Sequence, residues 1–237
     1  MTLMIHCGAE PVEAGALAAL ETPYGTDTHV PIAHADVVDM VRYALGYYAH
    51  EIVDEHHAIT PDGARYFGIL SLRSAYGDYT DMVGLRNSHD KKFPIGISFG
   101  SRVFVCDNLA FNGDHVIRRR HTQNARRDLP GLVAEVVAPL QAHRQRQHTT
   151  YQAYRSTGLT GAEADAAIMQ LYRTGVINVQ RIAPVAKAWD DPPHEWGDRT
   201  AWRLFNAVTF TLAGRVAEDP GVTAKLHDVI DGICRPA

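Results

Sequence analysis

Residues 84–122 read GLRNSHDKKFPIGISFGSRVFVCDNLAFNGDHVIRRRHT. Short apolar runs rich in Ile, Val and Phe alternate here with Gly, Asn and Asp, which is the pattern of strands separated by turns. Ile95–Phe99 and Arg102–Cys106 predict a hairpin across Gly100-Ser101. Asn112-Gly113 is the strongest turn signal, because both residues tolerate positive φ. It predicts a turn joining Leu109–Phe111 to His115–Arg120. The same stretch holds NSHD, CDN and RRRHT. Ionisable residues that interrupt strands mark the place to look for a site.

Working outward, the β pattern continues upstream. His50–Ile59, Tyr66–Arg73 and Thr80–Arg86 predict strands, with turns at Pro61-Asp62-Gly63 and Tyr76-Gly77-Asp78. Before them, Val37, Met40, Val41, Ala44, Leu45 and Tyr48 fall on one helical face, so a helix is expected from His34 to about Ala49. Residues 1–33, rich in Gly, Pro and Thr, predict an irregular arm. Downstream the period becomes helical. One stripe runs from Leu132 through Leu140 to Tyr154, predicting a long helix from about Asp128 to Arg155. Thr160 with Glu163 forms a capping box for the next helix, which stops at Gly175. Further helices are expected at Val179–Trp189, Arg199–Val216 and Val222–Cys234. The expected fold is therefore α+β. An N-terminal helix is followed by a central antiparallel meander of five or six strands, then by a C-terminal layer of four helices. The expected organisation is the arm at 1–33 and one domain at 34–237, β-rich over 50–122 and helical over 128–234.

Composition is that of an ordinary globular chain: 46% hydrophobic, 21% charged, net charge −4 over 237 residues. No apolar run is long enough to span a bilayer, and the N-terminus has no basic region before an apolar core, so a cytoplasmic protein is expected. Cys7, Cys106 and Cys234 are odd in number and far apart, which points to reduced thiols. The modest net charge hides an asymmetry. Residues 1–60 carry nine acidic side chains against Arg42 alone, whereas residues 115–148 carry seven arginines against Asp128 and Glu135. A local basic stripe of this kind suits phosphate or an acidic partner.

No Gly-x4-Gly-Lys-Ser/Thr loop, Gly-x-Gly-x-x-Gly turn or His-Glu-x-x-His helix is present, so P-loop and dinucleotide chemistry are not expected. No cofactor is called for; the one ion the candidate ligands would suit is a divalent metal. His89-Asp90 has the ligand pair of helical phosphohydrolases but sits after a strand. In that context Asn87, Ser88 and Asp90 are expected to make Asx-type turns. Asp107-Asn108 ends a strand, where a carboxylate serves either acid/base chemistry or a turn. His115 and His121 are six residues apart, some 20 Å along a straight strand, so they cannot chelate one ion there. His89, Asp90, Asp107 and His121 remain the candidates for metal or acid/base work, provided they meet across strands. Arg118, Arg119, Arg120, Arg126 and Arg127 are the candidate phosphate ligands, joined by Arg86, Asn87 and Asn108. On a strand Arg118 and Arg120 share a face and Arg119 points away. Tyr76, Tyr79, Phe93 and Phe99 are the candidate base-stacking side chains.

The run GLRNSHDKKFPIGISFGSRVFVCDNLAF, the later RRRHT and the C-terminal WGDRTAWRLFNAVTFTLAG resemble the domain-of-unknown-function 932 family of phage- and plasmid-borne proteins, over about residues 30–230. Arg86, Asn87, Ser88, His89, Asp90, Cys106, Asp107, Asn108, Phe111, His121, Thr122, Trp202 and Asn206 carry the match. The resemblance implies a mobile-element protein and raises the expectation of work on nucleic acid, without bringing an activity. The expected function is single-strand binding by a homo-oligomer, with an annealing or recombination role. The rivals are a metal-dependent phosphodiester hydrolase and a protein-interaction module countering host defence.

Overall fold

The computed structural model describes residues 8–74, 79–103, 109–212 and 221–234, and for 101–103 and 109–116 it describes the backbone alone. Six strands form one antiparallel sheet in sequence order: β1 (Glu10–Val12), β2 (Ile52–Ile59), β3 (Arg65–Leu72), β4 (Tyr79–Ser88), β5 (Ile95–Val103) and β6 (Leu109–Arg119). The described helices are α1 (Ala14–Ala18), α2 (His34–Tyr47), α3 (Ala125–Val137), α4 (Leu140–Ser156), α5 (Gly161–Arg173), α6 (Val179–Asp190), α7 (Ala201–Leu212) and α8 (Gly221–Cys234). The α+β class, the meander and the C-terminal helical layer are as the sequence predicts. Among the described residues no helix is long and apolar enough to cross a membrane.

The chain divides into two compact units: residues 1–101 with 114–141, and residues 102–113 with 142–237. In the first, α2 and α3 cover one face of the sheet. Val37, Val41 and Leu45 of α2 and Leu129, Val133 and Val137 of α3 share a core with Leu70, Val83, Leu85, Ile95 and Ile97. The period of two along β3 and β4 puts Tyr66, Leu70, Val83, Leu85 and Asn87 on that face. The arm supplies β1, which pairs with β2 from Glu10 opposite Ile59. In the second unit, Tyr151, Tyr154, Trp202, Phe205 and His227 form an aromatic core, with Tyr151 5.0 Å from Trp202 and Phe205 4.9 Å from His227 between ring centres.

Three local expectations are corrected. β5 runs straight through Gly100-Ser101, so no hairpin forms there. β6 runs straight through Asn112-Gly113. A turn at that dipeptide would leave only Leu109–Phe111 to pair, and an eleven-residue strand along β5 makes more ladder bonds than the turn preference outweighs. The long helix is two helices, α3 starting at Ala125 and α4 at Leu140. Pro139 separates them, because it has no N–H for the carbonyl four residues back and its ring clashes there. The capping box of α5 is present, with Thr160 and Glu163 bonding reciprocally, and the chain turns away at Gly175 with φ +75°.

Candidate functional site

The antiparallel order makes β4 and β6 run in the same direction, two strand spacings apart, so their C-terminal ends lie on one side of the sheet. Asn87 and His89 come off the first and His121 off the second. All three converge on the backbone of Ile32 in the arm. The Ile32 N–H donates to His121 Nδ1 at 3.1 Å. The Ile32 carbonyl accepts from Asn87 Nδ2 and from His89 Nε2, each at 2.9 Å. Two residues earlier in the arm, Val30 N–H donates to the His121 carbonyl at 3.0 Å. Ile32 itself is buried in the core. The motif side chains therefore act as a receptor for the peptide group of the arm.

A row of rings extends from this point across the sheet. His29 and His121 lie 5.2 Å apart, His121 and His89 6.3 Å, His89 and His34 4.0 Å, His34 and Tyr66 5.6 Å, and Tyr66 and His57 5.9 Å. Hydrogen bonds fix the tautomers. His57 donates Nε2–H to Glu55 at 3.1 Å, leaving Nδ1 to accept the Tyr66 hydroxyl at 2.8 Å. His34 donates Nε2–H to the Gly63 carbonyl at 3.1 Å and accepts from Asn87 Nδ2 at 3.0 Å through Nδ1. Arg42 of α2 closes the far end by holding Glu55. Gly68 lies opposite His57 because the Tyr66 phenol crosses it; a Cβ there would stand 2.0 Å from the Tyr66 oxygen.

Burial favours the uncharged form of the inner rings of the row. Burial, reinforced by the neighbouring imidazoles, lowers His34 and His121 to a pKa of about 4. Burial also lowers His89 and His57, and raises the Tyr66 phenol. Burial opposes ionisation of Glu55, but its bonds to Arg42 and His57 outweigh this and hold the carboxyl below its ordinary range.

The geometry speaks against metal ligation by this cluster as it stands. His121 uses its Nδ1 lone pair on the Ile32 N–H, so its Nε2 carries the proton and has no lone pair to give. Asp90 faces elsewhere: it accepts from Arg65 Nε at 2.7 Å, from the Ser88 hydroxyl and, at 3.2 Å, from the Lys92 N–H. Ser88 Oγ accepts from the same Lys92 N–H at 3.1 Å, and Lys91 takes φ +66°. Ser88 and Asp90 thus build the turn the sequence predicts, while Asn87 and His89 point back to the arm. Among the described residues no three His, Cys, Asp or Glu side chains are placed to hold a metal ion. Cys106, Asp107 and Asn108 lie outside the described residues.

The arginines separate into two kinds. Arg119, half-buried, pairs with Asp128 at 2.5 Å and is a structural ion pair. Arg118 and Arg120 lie on the opposite side of the strand and are exposed, as the period of two requires. Arg126 pairs with Asp36 and Arg127 with Asp128, yet their side chains remain 70% and 74% exposed. Arg86 is half-buried over the Phe93 ring at 5.3 Å, crossing Gly96 of β5.

Several sequence expectations do not survive at this level. Tyr79 and Phe99 are core residues and cannot stack on bases; Phe93 packs on Phe67 at 5.5 Å, and Tyr76 lies outside the described residues. Trp202 and Asn206 are buried in α7, with Asn206 Nδ2 donating to the Trp202 carbonyl at 2.9 Å. Gly96-Ile97-Ser98-Phe99-Gly100 has the Gly-x-Ser-x-Gly spacing of a nucleophile elbow, so the expectation that this motif is absent is corrected. It lies within β5 with Ser98 buried, and not at the strand-to-helix turn an elbow needs. His29, His34, His57 and Tyr66 were missed as partners of His89 and His121. Their signal is the chain's 13 histidines, far more than its size would ordinarily carry.

No curated protein and no solved structure matches the chain. A family model does, over residues 27–217, from just before the buried arm segment to just past α7. The match spans both Asn87–His121 and the Trp202 helix, and the chain belongs to the family described as Domain of unknown function (DUF932).

Proposed function

We propose that this is a phage or mobile-element protein that binds single-stranded nucleic acid through Arg118, Arg120, Arg126 and Arg127, with a role in annealing or recombination. The observation that carries this is the division of labour among the arginines. Arg119 is half-buried and held by Asp128, whereas Arg120, just past the end of β6, is exposed, as is Arg118. Arg120 has no ion-pair partner among the described residues. Arg126 and Arg127 open α3 a few residues on, and phosphate can compete for them because their own pairs are exposed and worth little. Asn87 and His89 stay inside, where they position the strand end without touching ligand. Copies are expected to assemble along the strand.

Titration of labelled single-stranded DNA and RNA at several salt concentrations tests this. Four phosphate contacts give a slope of log K against log salt of about −3. Binding that is absent, or that ignores salt, removes the proposal.

A further inference from the structure

α2 and α3 leave a groove of about 750 Å³ along their outer edges. Met40, Tyr43 and Tyr47 of α2 form one wall, and Pro130 and Ala134 of α3 the other. Tyr43 and Tyr47, one turn apart, are 76% and 73% exposed. Neighbouring exposed aromatics on an apolar floor are the composition of a protein-binding hot spot. One end carries Asp39 and Asp36, in the first two turns of α2; Asp39 bonds Arg42 at 3.1 Å yet stays 69% exposed, and Arg42 is shared with Glu55, so the carboxylates at this end outnumber the arginines.

We infer that this groove receives an amphipathic helix of a partner protein, with a lysine or arginine of that helix at Asp39. Three features select this occupant. The wall from Asp36 to Tyr47 spans twelve residues, about 16 Å at the helical rise, which matches three turns of a helix laid alongside. Both walls are helices whose backbone groups are already bonded, so an extended peptide would find no ladder to join, whereas a helix satisfies its own backbone. The charge is wrong for nucleic acid. In the lining two carboxylates, Asp36 and Asp39, stand against the single Arg126, and Asp39 would face any phosphate placed on the tyrosines. This surface meets the arginine face proposed above for nucleic acid only at Arg126, which lines one end of the groove.

A phage-displayed library of random 14-residue peptides, selected on the full chain, tests this. Enriched sequences are expected to carry apolar residues at i, i+3 or i+4, and i+7, with a basic residue at one end. The enriched peptide, synthesised and labelled, should bind at least tenfold more weakly to Tyr43→Ala/Tyr47→Ala and to Asp39→Lys. Selection on Asp39→Lys should replace the basic residue by an acidic one. All three positions are exposed, and circular dichroism checks that each variant is folded; Asp39→Lys alone suffices if the tyrosine pair is not. The inference is overturned if no such consensus emerges or if the peptide binds the variants equally. It is also overturned if the tyrosine variant instead loses oligonucleotide affinity, or loses self-association in light scattering, which would make the occupant nucleic acid or a second copy.

Discussion

His34 and His89 stack face to face, with ring centres 4.0 Å apart and planes 7° from parallel. Two charged rings at that distance would repel by about 4 kcal/mol at an effective dielectric of 20, so the two cannot both carry a charge. His34 opens α2 and His89 ends the β4 turn, and their contact clamps Ile32 of the arm between the helix and the sheet end.

Stability should therefore depend on pH in a defined window. His34 and His121 have folded pKa values of about 4, below the unfolded value of 6.5, and His89 and His57 shift the same way. The unfolded chain binds more protons between those values, so the stabilisation is complete above pH 6.5 and is lost as pH falls toward 4. Unfolding free energies from urea titrations at pH 7.5 and pH 4.5 should differ by several kcal/mol in the direction of acid destabilisation. A flat profile would mean the row is not buried and neutral.

Gly68→Ala should be among the most damaging small substitutions. Its Cβ would displace the Tyr66 phenol, and with it the bond to His57. About 2–3 kcal/mol of destabilisation is expected for a clash with a fixed ring, against about 1 kcal/mol for Tyr66→Phe, which removes the hydrogen bond alone. Thermal melts of the two variants give the comparison.

His121→Phe keeps the ring but removes the acceptor of the Ile32 N–H. A buried, unpaired donor costs about 1–3 kcal/mol. Amide exchange at Ile32 should speed up by tenfold or more, with the α5–α8 amides unchanged; an unaltered Ile32 rate would show that the arm is held by something else.

Arg119→Ala and Arg120→Ala should behave oppositely. The first breaks the half-buried pair with Asp128 and lowers the melting temperature, while the second, at an exposed position, leaves stability within about 0.5 kcal/mol and weakens oligonucleotide binding. Equal effects on both properties would remove the distinction between structural and ligand arginines.

Much of this architecture is legible in the sequence because period and composition are local. The stripe of Val37, Val41 and Leu45 gives α2, and the Thr160–Glu163 box gives the start of α5. The Asn112-Gly113 turn misleads because a local preference of under about 1 kcal/mol is set against ladder bonds to a strand the dipeptide cannot reveal. The site fails for a related reason. His89 and His121 invite a metal reading as a pair, and what decides their role is the peptide of Ile32, 57 and 89 residues away. Nothing in the spacing of the arm announces that partner. The alternation of Arg118, Arg119 and Arg120 is legible, because a strand admits only one division of three consecutive side chains.

The most direct measurement compares salt-titrated binding of a labelled single-stranded oligonucleotide by the native chain and by Arg118→Ala/Arg120→Ala. Two lost phosphate contacts should bring the slope of log K against log salt from about −3 to about −1.5. An unchanged slope, or no binding by the native chain, would contradict the account.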